Sequence, residues 1–430
     1  MKNNQLKILL IGSGGREHSL ALKLKESNQD PALFIAPGNA GTAQCGTNVQ
    51  INDTDIDTLL KFAINNNIDL TIVGPEAPLV EGIVDTFNEN NLNIIGPDKI
   101  GAQLEGSKAW SKAFMEKYDI PTAGYKEFTN STDAKTYLCT RNDYPIVIKA
   151  DGLAAGKGVT IAATQSEAFT AIEDAIDNDK FKEAGKKIII EDFLDGEEAS
   201  IFAFCDGKTL LPMTPAQDHK AIFDGDKGPN TGGMGAYSPT PLITDSLFKT
   251  IQTDVFDKVL KGFKEENIDY RGIVYAGIII VKGKPLIIEF NARFGDPETQ
   301  VVLPRLKNDL VSIFQAMTNQ TLHTIRLEWK PESAVCVVLA SGGYPNAYEK
   351  GKEITGTSTF KKNDAIQVIH AGTQRQDKTL VSSGGRVLGV VGIDSSLKKA
   401  IDLTYSAVAK ISFEKSYHRK DIGHKALARL

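Results

Sequence analysis

The first hundred residues alternate short apolar runs with glycine-containing loops and helical stretches, and this alternation restricts the fold more than any other feature. The apolar runs lie at residues 7–11, 32–36, 70–73 and 93–95. Loops follow the first three runs at residues 12–16, 37–41 and 74–78. Short buried strands separated by helices predict a parallel, doubly wound sheet. Ligands of such sheets bind at the carboxyl ends of the strands, where these loops are expected to lie.

The remainder of the chain follows other patterns, and 430 residues exceed one typical domain. Strands predicted at 144–150, 159–163 and 187–191 form a small α+β unit, and strands dominate again beyond residue 333. Residues 217–237 are predicted to form one long glycine-rich polar loop, and loops of this length are usually functional or disordered. His219 in this loop could act as a base, but no carboxylate or nucleophile is evidently placed to work with it.

Composition excludes several classes of function. The net charge of −5 argues against a broad nucleic-acid-binding surface. No apolar run reaches about 18 residues, the length expected of a membrane-spanning helix. The cysteines are far apart and form no C-x-x-C pair, which indicates reduced thiols in a cytoplasmic protein. The histidines contain no H-x-x-x-H pair, so zinc hydrolase chemistry is not expected.

Glu289 and Asn291 lie two positions apart at the end of a predicted strand. Residues with this spacing point to the same face of a strand, so their side-chain oxygens converge. Such donors suit Mg²⁺, which takes oxygen ligands and often shares them with substrate phosphates. Arg293 and Asp296 follow immediately. On spacing alone, the polar solvent face of an edge strand remains an alternative interpretation.

Glycine occupies positions 12, 14 and 15 between a predicted strand and a predicted helix. Backbone N–H groups at a helix start can bind an anion, and glycine allows the anion to approach. Glu17 stands at the third glycine position of the dinucleotide fingerprint, and no acidic residue ends the second strand. The pattern therefore favours a single phosphate over NAD, with a plain tight turn as the remaining alternative.

Lysine and glutamate residues end two further predicted strands. Lys149 precedes the glycine-rich loop 152–158, and a lysine there can reach a phosphate as a point charge. The loop itself could fold over a triphosphate. Backbone groups at residues 191–194 could contact an adenine edge, and Glu198 could accept hydrogen bonds from ribose hydroxyls. Each signal taken alone also fits a solvated loop or an ordinary strand end.

Eight motifs taken together are far more specific than any one of them. They are GSGGREH (12–18), PGNAGT (37–42), GPEAPLV (74–80), LEGSK (104–108), KADGLAAGKGV (149–159), QDHK (217–220), GPNTGGMGAY (228–237) and EFNARFGDPETQ (289–300). In order and spacing they resemble the phosphoribosylamine–glycine ligases, or glycinamide ribonucleotide synthetases, a family of the ATP-grasp superfamily. The resemblance extends to residues 421–423 and so covers essentially the whole chain.

This resemblance implies an α/β and α+β multidomain fold with three domains. An N-terminal doubly wound parallel-sheet domain, the pre-ATP-grasp domain, would span residues 1–104. A central ATP-grasp domain would span 105–328, with a small lid subdomain at about 125–190. A C-terminal, mainly β domain would span 329–430.

The resemblance also implies roles for individual residues. The Mg²⁺ or Mn²⁺ ligands would be Glu289 and Asn291. The ATP contacts would be Lys108, Lys149, Gly156, Lys157, Gly158, Glu191, Leu194 and Glu198. The sugar phosphate and other substrate groups would be held by Gly14, Gly15, Arg16, Asn39, Glu76, Asn230, Gly232 and Gly233. The residues around glycine and the reacting centre would be Asp218, Lys220, Arg293 and Asp296, with Asp296 paired to the glycine ammonium.

Two features depart from the pattern. Ala221 stands where an arginine commonly follows the His-Lys pair. Residues 271–280 carry no acidic side chain that could serve as the further metal ligand found in other ATP-grasp branches.

The implied activity is the ATP-dependent ligation of glycine to 5-phosphoribosylamine through glycyl phosphate, a step of purine biosynthesis. The partners would be these small molecules alone, without nucleic acid or membrane, and the chain would act as a monomer. One alternative is another ATP-grasp enzyme, such as a carboxylase or a D-alanine ligase. A carboxylase would need a biotin-presenting partner, and the loop at 228–235 favours the glycine ligase. The second alternative is a non-enzymatic nucleotide sensor.

Overall fold

The computed structural model describes residues 5–154, 158–360 and 365–430. Large clusters of buried apolar side chains join its three regions; one of them contains Ile8, Phe314 and Val338. The regions therefore pack against one another around shared cores. Among the described residues, no helix combines the length and the apolar character that crossing a bilayer requires.

The N-terminal region is built on a parallel sheet. Its strands are β1 (Lys7–Gly12), β2 (Ala32–Pro37), β3 (Thr47–Asn48), β4 (Leu70–Val73) and β5 (Ile94–Pro97). Their spatial order is β5-β4-β1-β2-β3, so the chain moves outward from β1 in both directions. The carboxyl ends of β1 and β4 thus flank the crevice where such sheets bind ligands. The predicted doubly wound sheet is confirmed.

Helices surround this sheet. They are α1 (Gly15–Lys25), α2 (Ile56–Asn66), α3 (Glu76–Glu81), α4 (Ile83–Glu89) and α5 (Gln103–Gly106), with a 3-10 turn at Thr42–Gln44. The prediction of a loop over residues 74–78 is wrong, because α3 begins at Glu76. Pro78 lies in the first turn of α3, where the N–H that proline lacks would have no helical partner.

The central region contains two four-stranded antiparallel sheets. Its strands are β6 (Tyr125–Phe128), β7 (Ile146–Ala150), β8 (Val159–Ala162), β9 (Ile188–Asp192), β10 (Glu197–Cys205), β11 (Leu210–Pro212), β12 (Gln217–Asp218), β13 (Ala221–Phe223), β14 (Lys227–Asn230), β15 (Gly235–Ser238), β16 (Tyr270–Arg271), β17 (Ile273–Val281) and β18 (Lys284–Asn291). The smaller unit has the order β6-β9-β7-β8, and the larger sheet has the order β11-β10-β17-β18. The two sheets meet where the Lys149 ammonium donates a hydrogen bond to the Ile288 carbonyl at 3.0 Å.

Helices of the central region frame these sheets. They are α6 (Lys108–Lys117), α7 (Ser131–Leu138), α8 (Gln165–Ile172), α9 (Asp245–Ile251), α10 (Asp257–Glu265), α11 (Thr299–Val302) and α12 (Leu310–Thr318). Shorter 3-10 and π turns lie at Glu173–Asp177, Lys182–Gly185, Gln252–Phe256, Leu303–Arg305 and Leu322–Thr324. Ser107 caps α6 by accepting the Trp110 N–H, as serine does at helix starts. This cap fixes the start of the helix at Lys108.

Residues 217–237 do not form one long loop, and that prediction is wrong. They form four short strands, and β13 and β14 pair as a hairpin. Arg419 stabilises the hairpin from the C-terminal region: its fully buried guanidinium donates to the Ala221 carbonyl at 3.1 Å and to Asp226 at 2.9 Å. A partner about two hundred positions away leaves no local sequence signal.

The C-terminal region is mainly β. Its elements are β19 (Ser333–Ala340), β20 (Ile366–His370), β21 (Thr373–Gln376), β22 (Thr379–Ser382), β23 (Arg386–Asp394), α13 (Leu397–Val408) and α14 (His424–Leu427), with a 3-10 turn at Thr357–Phe360. The main sheet has the order β12-β15-β19-β23-β20, so strands from the central segment extend it. The C-terminal region is thereby joined to the motif-bearing segment 217–238.

Candidate active site

A cavity of about 500 Å³ lies where the three regions meet. Fourteen of the residues singled out from the sequence line it: Arg16, Glu76, Lys108, Lys149, Gly158, Glu191, Asp218, Lys220, Asn230, Gly232, Glu289, Asn291, Arg293 and Asp296. These positions are spread over nearly three hundred residues of chain. Folding therefore gathers most of the predicted site around one space.

Glu289 and Asn291 line the cavity from β18, opposite the glycine-containing part of β17. Gly277 pairs with Glu289, and a β-bulge follows in the register between Gly277 and Ile278. A Cβ atom at Gly277 would lie 3.2 Å from Glu289 Cγ, so any larger residue at position 277 would crowd the Glu289 side chain. The Asn291 amide makes no hydrogen bond to a described residue, so its oxygen is available to a ligand.

Glu289 is held in its charged form by surrounding lysines. Burial acts to raise the pKa of Glu289, but Lys220, Lys149 and Lys108 together bring it below its usual value. The Lys220 ammonium lies 3.8 Å from the Glu289 carboxylate and 2.8 Å from that of Glu198. The cavity thus contains an anionic oxygen donor, Glu289, surrounded by the lysines that keep it charged.

A buried three-residue charge network forms another part of the wall. The Glu191 carboxylate pairs with the Lys149 ammonium at 3.0 Å and with the Lys112 ammonium at 3.3 Å. Lys112 also donates to the Thr122 hydroxyl at 2.8 Å and to the Ala123 carbonyl at 3.2 Å. Burial lowers the pKa of Lys112 to about 8, with Glu191 opposing that shift. Two cations on one carboxylate leave net positive charge for an anionic ligand.

Asp218 is a carboxyl group without a hydrogen bond to the described residues. Burial raises its pKa to about 8, with Glu298, Glu198 and Glu289 adding to the shift and Lys220 opposing it. Glu298 is itself occupied, since it accepts from the Ser200 hydroxyl at 2.9 Å and from the Tyr275 hydroxyl at 2.6 Å. A cationic ligand group beside Asp218 would oppose this shift and would give its carboxyl the partner that it lacks among the described residues.

Arg293 lies between two carboxylates. Its guanidinium is 2.7 Å from Glu105 and 3.1 Å from Glu76. Burial acts to lower the pKa of Arg293, but these two partners raise it above its usual value. The Arg293 charge in turn lowers the pKa of Glu76 to about 2, although burial opposes this. Burial raises the pKa of Glu105 to about 7 against the pull of Arg293.

Asp296 is engaged by three groups of the protein. Its carboxylate accepts from the Arg16 backbone N–H at 3.3 Å and from the Gln300 amide at 2.7 Å, and it lies 3.4 Å from the Arg386 guanidinium. Burial acts to raise the pKa of Asp296, but Arg386 and Arg16 bring it below its usual value. Asp296 is thus an anchored carboxylate.

A second cavity of about 360 Å³ adjoins the first through shared residues. Asp296, Tyr344 and Arg386 line both cavities. The second cavity lies between the N-terminal and C-terminal regions and is completed by Ser13, Gly14, Gly38, Asn39, Ala371, Gly372, Thr373, Ser383 and Gly384. Its lining of small residues and backbone could accommodate an anionic group.

The glycine turn after β1 is already partly occupied by protein carboxylates. The Gly14 N–H donates to Glu17 at 2.6 Å, and the Arg16 N–H donates to Asp296. Asn39 donates to the Ser13 carbonyl at 2.7 Å and so ties the loop after β2 to this turn. The turn presents a ligand surface in the second cavity, but fewer free N–H groups than the sequence alone suggested.

Other predicted residues lie beside the cavities. Gly15 packs against Gln300, Gly233 packs against Pro297, and Leu194 follows β9. Gly156 and Lys157 lie outside the described residues. His219 is buried, which lowers its pKa to about 3, and its Nε2 accepts from the Gly423 N–H at 3.4 Å. His219 is therefore neutral and tied to the backbone.

The structure adds cavity residues that sequence reasoning missed: Glu105, Lys112, Tyr275, Glu298, Tyr344 and Arg386. Glu105 belongs to the motif at 104–108 and Glu298 to that at 289–300, so their motifs could have drawn attention to them. Arg386 follows a Ser-Ser-Gly-Gly run, but nothing in the sequence relates it to Asp296.

Within residues 5–154, 158–360 and 365–430, no three His, Cys, Asp or Glu side chains cluster in a way that could hold a metal ion.

Family models match nearly the whole chain. The N domain of phosphoribosylglycinamide synthetase matches residues 6–105, its ATP-grasp (A) domain matches 106–299, and its C domain matches 334–425. The predicted three-domain α/β and α+β architecture is confirmed by these matches.

Individual proteins agree with the family models. The phosphoribosylamine–glycine ligase of Halalkalibacterium halodurans is 47% identical over 423 residues, which cover 98% of each chain. A crystal structure of the Thermotoga maritima phosphoribosylamine–glycine ligase is 33% identical, has a TM-score of 0.85, and covers 97% of this chain and 100% of its own. A Campylobacter jejuni biotin carboxylase shares the fold, with a TM-score of 0.72 at 13% identity over 99% of this chain and 98% of its own. The chain therefore belongs to the phosphoribosylglycinamide synthetase family and is an ATP-dependent ligase with an ATP-grasp domain.

Proposed function

We propose that this protein joins glycine to 5-phosphoribosylamine, through glycyl phosphate, with conversion of ATP to ADP and phosphate. The observation that carries the proposal is the union of two adjoining cavities through Asp296 and Arg386. The larger cavity has the lysines and the acidic donor that a triphosphate and its cation require. The smaller one offers a separate space for a second substrate.

ATP would bind along the wall formed by Lys108, Lys149 and Glu191. Lysine ammonium groups bind phosphate oxygens as point charges. Gly158 and residues 152–154 would cover the phosphates, and the segment after β9 with Leu194 and Glu198 would contact the nucleoside. Covering the phosphates excludes water, which matters because an acyl phosphate hydrolyses readily.

The donor set at Glu289 and Asn291 fits Mg²⁺ or Mn²⁺. One carboxylate with a lowered pKa and one free amide supply oxygen ligands, and Mg²⁺ usually completes its shell with water and substrate phosphates. When bound, such an ion would neutralise charge on the phosphoryl group that is transferred. The ion would then be held jointly by Glu289, Asn291 and the nucleotide.

Glycine would bind beside this centre. Asp218 is the better partner for its ammonium than Asp296, because Asp296 already accepts from Arg16 and Gln300 and pairs with Arg386. A glycine carboxylate oxygen would attack the γ-phosphorus, and ADP would leave. Arg293 and Lys220 would orient the reacting oxygens by charge, since the protein's main task in phosphoryl transfer is positioning and charge stabilisation.

Phosphoribosylamine would enter from the second cavity. Its phosphate would lie against Gly14, Gly15, Arg16 and Asn39, with Glu76, Asn230, Gly232 and Gly233 around the sugar and the amine. The amine nitrogen would attack the acyl carbon of glycyl phosphate, phosphate would leave, and the amide would form as the nitrogen loses a proton. We further propose that the chain acts as a monomer. The four cysteines are free thiols, which supports a reducing compartment such as the cytoplasm.

The first experiment is an omission assay of ADP release by the purified protein. We expect release to require ATP, a divalent cation, glycine and freshly prepared phosphoribosylamine together. Multiple turnovers without phosphoribosylamine would refute the acceptor assignment. Bicarbonate-dependent release without glycine would favour a carboxylase instead.

The second experiment tests the metal ligands. Glu289→Ala should abolish turnover, because it removes the only carboxylate of the proposed site. Glu89→Ala, an exposed residue at the end of α4, is the matched control and should keep wild-type activity. Near wild-type activity of Glu289→Ala with Mg²⁺ would show that the ion binds elsewhere.

A further inference from the structure

Glu105 is a buried carboxylate in the active-site wall to which the catalytic scheme above gives no role. It lies on α5 at the junction of the N-terminal and central regions, and 8% of the residue is exposed. It lines the larger cavity. Lys108 is the only residue of the motif at 104–108 to which the sequence analysis assigned a role.

The two carboxylate oxygens of Glu105 hold two consecutive residues beyond β18. Oε2 accepts the backbone N–H of Ala292 at 2.8 Å. Oε1 pairs with the guanidinium of Arg293 at 2.7 Å. Ala292 directly follows Asn291, so one side chain fixes both the strand end that carries a proposed metal ligand and the neighbouring arginine.

Glu76 contributes differently to the same arrangement. Its carboxylate contacts Arg293 Nε at 3.1 Å, whereas Glu105 pairs with a different nitrogen, Nη2. The contacts of Glu76 do not include the backbone of residues 291–293. Arg293 is thus clamped between α3 and α5, and only the α5 carboxylate also restrains the main chain.

We propose that Glu105 is a positioning residue, which aims Arg293 and restrains the Asn291–Arg293 backbone for phosphoryl transfer to the amino-acid carboxylate. The inference rests on the proposed function for the identity of that carboxylate. Buried charge-assisted hydrogen bonds of this kind are strong and direction-specific, which suits the fixing of a guanidinium. Glu105 itself touches no reacting atom in this scheme.

The test begins with Glu105→Gln, which keeps the size of the side chain and one oxygen acceptor but removes the charge opposite Arg293. We expect kcat for glycine-dependent ADP release to fall about 100-fold, as expected when a reacting group is misplaced by about 1 Å. The dissociation constant of ATP, measured by titration without glycine, should stay within about threefold because the lysine wall is untouched. Parallel loss of ATP binding and thermal stability would instead indicate a general structural role and overturn the proposal. Glu89→Gln is the matched control.

Chemical rescue separates positioning from structural support. In Arg293→Ala, free guanidinium should occupy the space between Glu105 and Glu76 and restore activity about tenfold, short of the tethered arginine. The double variant Glu105→Gln/Arg293→Ala should lose this rescue and should be no slower than the slower single variant, because coupled residues are not additive. Rescue that does not depend on Glu105, or fully additive losses, would overturn the proposal.

Thermal unfolding provides a readout without turnover. Guanidinium should raise the Tm of Arg293→Ala relative to that of the double variant, since only the former keeps the Glu105 charge. If the wild type releases no ADP with glycine, the proposed function fails, while this difference in Tm still decides whether Glu105 holds a guanidinium. Equal Tm responses in the two variants would refute the Glu105 assignment.

Discussion

Arg386 should be essential to the active site although it lies in the C-terminal region. Its guanidinium donates to the Gly232 and Asp296 carbonyls, both at 2.6 Å, and lies 3.4 Å from the Asp296 carboxylate. Arg386→Met removes these contacts while keeping an unbranched side chain of similar length.

The magnitude follows from the contacts that are lost. Each hydrogen bond from a charged donor contributes about 1.5–3 kcal/mol, so two of them give about 3–6 kcal/mol. Gly232 is exposed, and water will replace part of what its carbonyl loses. A net loss of about 3 kcal/mol, expressed in the placement of Asp296 and the loop, corresponds to roughly 100-fold in rate, at about 1.4 kcal/mol per tenfold.

The assay is steady-state ADP release with phosphoribosylamine or glycine varied, beside direct titration of ATP. We expect kcat/KM for phosphoribosylamine to fall about 100-fold, because Arg386 lines the second cavity, and ATP affinity to change by less than about threefold. Arg386→Lys should be intermediate, since lysine keeps the charge but not the forked donors. Arg375→Met, at an exposed position of the same region, is the matched control.

Two results would refute this reasoning. If Arg386→Met stays within about threefold of the wild type, Asp296 and the loop hold their positions without the guanidinium. If ATP affinity falls as much as kcat/KM, Arg386 supports the whole domain arrangement and has no particular role at the junction of the cavities.

Two further predictions follow from buried positions. Gly277→Val should reduce activity about 100-fold, because the Cβ of the new side chain alone would lie 3.2 Å from Glu289 Cγ and would displace this carboxylate. The rate of ADP release, measured against Mg²⁺ concentration, tests this. An unchanged Mg²⁺ dependence would contradict it. Burial lowers the pKa of His18 from 6.5 to about 3. Between these two pH values His18 binds a proton in the unfolded chain but not in the folded protein, so the free energy of unfolding decreases as the pH falls. This one histidine should contribute a loss of about 2 kcal/mol in the free energy of unfolding from pH 6.5 to 5. His18→Asn, which can still accept the His370 N–H, should flatten that slope in denaturant titrations at several pH values, and an unchanged slope would refute the assignment.

Local patterns predicted the regular parts of the fold well. The run at residues 70–73 is a strand with those bounds, and the run at 7–11 became β1, one residue longer. These strands are buried, so their apolar character records their environment directly. The prediction failed at residues 74–78, where a loop was expected but α3 begins at Glu76, since proline is tolerated in the first turn of a helix.

The candidate site was predicted as a set of residues but not as a set of contacts. Spacing alone placed Glu289 and Asn291 on one face of a strand, because the side-chain period of a strand is local. The same spacing could not show that Asp296 would be engaged by Arg386 and Arg16, which made Asp218 the better partner for an ammonium. Such pairings depend on the relative placement of distant segments.

The sequence by itself determined the family of this protein and the buried strands of its N-terminal sheet, since strand periodicity, glycine turns and ordered motifs are properties of neighbouring residues. Only the tertiary structure decided which charged groups pair. Lys149 and Lys112 both pair with Glu191, and Arg293 pairs with Glu105. The physical reason is that electrostatic interactions and hydrogen bonds depend on distance and burial in space. Positions far apart in the chain reach those distances only when all three regions have packed together.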